Sequence, residues 1–88
     1  MIKNISYCEK TAAQLVSHLY SVYAQKSGHK DKALQCLACL EKTGCETRGI
    51  KISIKQGKYH DAFQSARQLH QYLQARLPPF NQLRRGSI

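Results

Sequence analysis

Arg48-Gly49-Ile50-Lys51-Ile52-Ser53-Ile54-Lys55 is the stretch on which the fold turns. Its three isoleucines alternate with Lys51, Ser53 and Lys55, the period-2 pattern of a strand with one buried face. Gln56-Gly57 ends the run. A lone strand leaves its ladder donors and acceptors unpaired. Its partner is therefore expected to be residues 2–7, a short return around Cys45–Thr47, or a second copy of the chain. On this reading Lys51, Ser53 and Lys55 point away from the core, with Arg48 and Lys58 at the two ends. Together they make a basic stripe.

On the N-terminal side, Ser6-Tyr7-Cys8-Glu9 has the form of a capping box, with Thr11 as a competing cap. A helix follows to about Gln25. At roughly 100° per residue, its polar residues from Lys10 through Gln14, His18 and Ser21 to Gln25 fall within an arc of about 100°. Everything else on this helix is apolar, so a second layer must cover it, either another element of the chain or another subunit. Lys26 to Lys30 interrupts the pattern around Gly28. A second helix is predicted from about Asp31 to Thr43, with Ala33, Leu34, Leu37 and Leu40 as its stripe and Gly44 as its terminator. The third runs from about Tyr59 to Leu77 on the face of Ala62, Phe63, Ala66, Leu69 and Leu73, and Pro78-Pro79 stops it. The expected class is α+β: three helices and a small antiparallel sheet in the order (β)-α-α-β-α. One domain is expected over 1–77, dimeric or partner-bound, with an extended basic tail over 78–88.

The 88 residues carry 14 Lys plus Arg against 5 Asp plus Glu, a formal charge of +9. That exceeds the ~2–8 usual for a small soluble domain and favours a polyanionic partner: nucleic acid, an anionic surface or an acidic protein face. No run of 18 apolar residues exists, and Met1 to Ser6 lacks the apolar core of a secretory signal. A cytoplasmic protein with reduced thiols, not embedded in a membrane, is expected.

Cys36 and Cys39 have the spacing of a zinc half-site, with Cys45 and then Cys8 or one of His18, His29, His60 and His70 to complete it. Both lie in an apolar helical run with no knuckle, so Cys36 reads as a small core residue and Cys39 as a boundary thiol. No metal or other cofactor is expected. His70 reads as a hydrogen-bonded boundary residue and His18 as solvated. No nucleophile elbow, phosphate loop or paired carboxylates point to catalysis, and a non-enzymatic binding protein is expected.

On the outer face of the third helix Gln64, Arg67 and Gln71 lie in line, with Gln74 beyond and His60 a turn before. Gln pairs with adenine and Arg with guanine in a major groove, so this face suits base readout; it equally suits a merely polar surface. The expected function is nucleic-acid binding, duplex DNA first. Phosphate contacts would come from Arg48, Lys51, Ser53, Lys55 and Lys58 and from Arg84 and Arg85 in the tail. Base contacts would come from Gln64, Arg67 and Gln71. The alternative is a protein–protein module, an inhibitor or adaptor docking on an acidic or nucleic-acid-binding face of a larger protein, a description that small basic proteins of mobile elements fit.

Overall fold

The computed structural model describes residues 4–77, and among them there are four helices and no strand. They are α1 (Ile5–Tyr23), α2 (His29–Lys42), α3 (Arg48–Lys55) and α4 (Tyr59–Ala75). The tail with Arg84 and Arg85 lies outside the described residues.

The α+β expectation is corrected at both proposed strands. Ile5 to Tyr7, part of one of the three partners offered for Arg48 to Lys55, is the first turn of α1. Arg48 to Lys55 is itself α3. A helix satisfies its own backbone, so no partner is required. The isoleucine pattern misleads because residues i and i+4 share a face in both a strand and a helix. Ile50 and Ile54 are buried, as either form requires. Ile52 decides between them: it lies on the far side of the helix and is 47% exposed.

The helix ends follow from local chemistry. α1 starts two residues before the expected box. Asn4, at φ 54°, accepts a hydrogen bond on its side-chain oxygen from the Tyr7 amide at 3.1 Å. Ser6 is therefore not the cap. α1, α2 and α3 all end in the same way, with a left-handed residue just past the cap. The amides of Cys45 and Gly44 donate to the carbonyls of Leu40 and Glu41, and those of Lys58 and Gly57 to Ser53 and Ile54. Gly44 and Gly57 have φ of 95° and 76°, which glycine adopts without strain. After α1 the corresponding residue is Gln25, at φ 66°, with Lys26 donating to Ser21.

The chain forms two helical hairpins, α1–α2 and α3–α4, joined through the packing of α1 on α4. Contacts between α1 and α4 run antiparallel: Glu9 meets His70, Tyr20 meets Phe63 and Tyr23 meets His60. On roughly the opposite side of α1, about 140–180° around its axis, His18 meets His29 of α2. Most of the wide apolar arc of α1, Ala12, Leu15 and Leu19 above all, is thus covered by α2 and α4 of the same chain, while Tyr20 and Tyr23 at its C-terminal end stay exposed. Neither that arc nor an unpaired strand remains as a reason for self-association.

The core joins Leu15 and Leu19 of α1, Leu37 and Leu40 of α2, Ile54 of α3 and Leu73 of α4, all nearly free of solvent. Burying each such side chain contributes about 1.5–3 kcal/mol. Ala12, Ala62 and Ala66 are fully buried, so α1 and α4 meet over small side chains.

Candidate functional site

The change from strand to helix rearranges the basic stripe without dispersing it. At roughly 100° per residue, Arg48, Lys51 and Lys55 fall within about 60° on α3. Arg48 and Lys55 are exposed. Lys51 is half-buried, with its ammonium 2.6 Å from Glu41 of α2. Ser53 leaves the stripe: it points to the other side, is half-buried, and offers its carbonyl to Lys58 at 2.8 Å. Ile52, one turn after Arg48, takes a place among the cations. Lys58 is exposed at the end of the turn that leads into α4.

α4 presents Gln64, Arg67 and Gln71 to solvent. The Arg67 guanidinium lies 5.8 Å from the centroid of Phe63. Phe63 in turn packs against the Tyr20 ring at 5.8 Å, and Tyr23 packs against His60 at 5.5 Å. Tyr20 and Tyr23 are 58% and 53% exposed. The polar face of α4 is therefore flanked by aromatic rings from α1. Nothing in the local sequence assigns them there. Their i, i+3 spacing is visible, but which helix they border depends on the α1–α4 pairing.

The acids are largely committed within the molecule. Glu9 lies 2.7 Å from His70, and Glu41 pairs with Lys51. Glu46 accepts from the Arg48 amide at 2.8 Å, at the start of α3. Asp31 and Asp61 sit in the first turns of α2 and α4, where a negative charge is favoured. Lys51 is the one Lys or Arg among the described residues with a carboxylate within 4.0 Å.

Cys36 is buried and Cys39 half-buried. Burial pushes the Cys36 thiol up, as it does Cys45, and a protonated thiol is a poor nucleophile. Cys8 donates to the Thr43 hydroxyl at 3.0 Å, and Thr43 donates to the Leu40 carbonyl at 2.7 Å. Among the described residues no three His, Cys, Asp or Glu side chains are grouped to hold a metal ion. His70 pairs with Glu9 at the α1–α4 boundary. His18 is not a solvated residue. It is half-buried with its Nδ1 3.1 Å from Nδ1 of His29. Burial, followed by the charges of His29 and Lys32, holds it below the usual histidine range.

Compared with family models, curated proteins and solved structures, the chain finds no match. No helix among the described residues is long and apolar enough to cross a membrane.

Proposed function

We propose that the protein binds duplex nucleic acid through the α3–turn–α4 unit. One observation carries the reading: over residues 48–75 the chain holds Arg48, Lys51, Lys55, Lys58 and Arg67 with a single acid, Asp61, and of these cations Lys51 is paired, with Glu41 of α2. The unit has an eight-residue helix, a short turn holding a left-handed glycine, and a longer helix with an open polar face. This order of elements resembles a helix-turn-helix, in which the second helix enters the major groove and the first crosses the backbone. Arg48, Lys55 and Lys58 then contact phosphates, while Gln64, Arg67 and Gln71 meet base edges. Stacking on Phe63 restricts the Arg67 fork and so lowers the entropy cost of binding.

Anisotropy of a labelled duplex, titrated from ~50 to ~200 mM salt, tests the reading. The triple variant Arg48→Ala, Lys55→Ala, Lys58→Ala should bind weakly, its log–log salt slope shallower by about 0.9 for each phosphate no longer neutralised. Arg67→Ala should relax sequence preference by about 1–3 kcal/mol at one position. Wild-type affinity and slope in the triple variant refute the proposal. A single strand bound as tightly as the duplex refutes its duplex part.

The exposed Tyr20 and Tyr23 beside Arg67 favour a second reading, docking on an acidic protein face, because Tyr and Arg dominate interface hot spots. A partner retained after nuclease treatment, and released by Tyr20→Ala with Tyr23→Ala, distinguishes it.

A further inference from the structure

The groove between α1 and α2 is not used by the nucleic-acid reading. It encloses about 450 Å³, within the ~300–1,000 Å³ of small-ligand sites. Lys10 stands on its α1 wall and Lys32 on its α2 wall, and no lining residue is acidic. Neither ammonium has a carboxylate within 4.0 Å. Two cations facing one cleft repel each other unless an anion lies between them.

The rest of the lining completes the chemistry. Gln14 and Gln35 bring amide donors. Thr11 is only 6% exposed and lines the α1 wall. The neighbouring Cys39 side chain holds the Tyr7 hydroxyl above its ordinary value. Tyr7, Cys36 and Cys39 add an apolar part to the lining. We propose that this groove binds a small organic phosphomonoester, its anionic head between Lys10 and Lys32 and its apolar body against Tyr7 and Cys36. His18 stands at the same groove with Lys32 and His29 facing it. An anion in the groove opposes the Lys32 charge, so the His18 ring reports occupancy.

Amide and imidazole NMR of the full chain tests the site with three probes: phenyl phosphate, inorganic phosphate and phenol. Phenyl phosphate should shift the amides of residues 7–18 and 32–39 and raise the His18 titration midpoint. Inorganic phosphate should bind more weakly, and phenol should not raise that midpoint. Lys10→Gln with Lys32→Gln should weaken phenyl phosphate by about tenfold or more, the size of one charge-assisted hydrogen bond. Both lysines are exposed, so the fold is kept, and an unchanged circular dichroism spectrum checks it. Unchanged affinity in the double variant overturns the proposal. So do shifts as large at Arg48, Lys55 and Lys58, which mean a diffuse cationic surface. Equal binding of inorganic phosphate overturns the apolar half.

Discussion

Ile54→Ala and Ile52→Ala, two positions apart, separate a helical α3 from a strand. Ile54 is 1% exposed and fills the contact of α3 with α4. Removing a buried isoleucine to the β-carbon costs ~2–5 kcal/mol, and the cost falls when the site can close around the gap. α3 has eight residues, which lets it settle toward α4, so the expected loss is about 2–3 kcal/mol. Ile52 is 47% exposed, so its truncation removes little burial. Alanine is also the better helix former by a few tenths of a kcal/mol, so the net change should lie within about 0.5 kcal/mol. Urea unfolding followed by circular dichroism is the assay. With a slope of roughly 1 kcal/mol per molar urea for a small domain, Ile54→Ala should lower the midpoint by about 2–3 M and Ile52→Ala hardly at all. A strand would put both isoleucines on one face. Comparable midpoint losses in the two variants would refute the helix.

Leu19→Ala should destabilise by about 2–5 kcal/mol and Gln14→Ala by no more than about 0.5, since Leu19 is fully buried and Gln14 exposed; equal urea midpoints would contradict the phase of α1. Gln25→Gly should stabilise by about 0.5–1 kcal/mol, because relief of the left-handed strain exceeds the added cost in chain entropy, and a lower melting temperature would count against that backbone. Stability should be greatest between the ordinary values of histidine, 6.5, and cysteine, 9.0. The folded state holds His18 below 6.5, so the unfolded chain takes up the proton first and stability falls as pH drops from 6.5 through the folded value. It holds Cys36 and Cys45 above 9.0, so the unfolded chain loses those protons first and stability falls as pH rises past 9.0. Urea midpoints measured across pH check both limbs, and a midpoint that rises on acidification below 6.5 contradicts the first.

Three of the four helices were legible because each carries a stripe longer than two turns, with Gly28, Gly44 and Gly57 marking the breaks. α3 was not. Ile50 and Ile54 fit both periods, and Ser53 and Ile52, the residues that break the tie, are chemically tolerant of either side. The same ambiguity preserved much of the site, because Lys51 and Lys55 are neighbours at i, i+4 in either form. What escaped depends on contacts distant in sequence. Glu41 reaching Lys51, His18 reaching His29, and Tyr20 and Tyr23 flanking α4 all follow from the order of the helices in space. No local pattern encodes that order.

The two-hairpin construction sets how the chain should fold in time. Each hairpin closes over a short connection, so its contacts form early at little cost in loop entropy. The docking of α1 on α4 is the long closure, joining Glu9 to His70 across 61 residues. The barrier therefore falls there. Enlarging Ala62 or Ala66, where the two helices meet, should slow refolding. Truncating Ile54, whose contact with α4 is made before that step, should also slow refolding and leave the unfolding rate little changed.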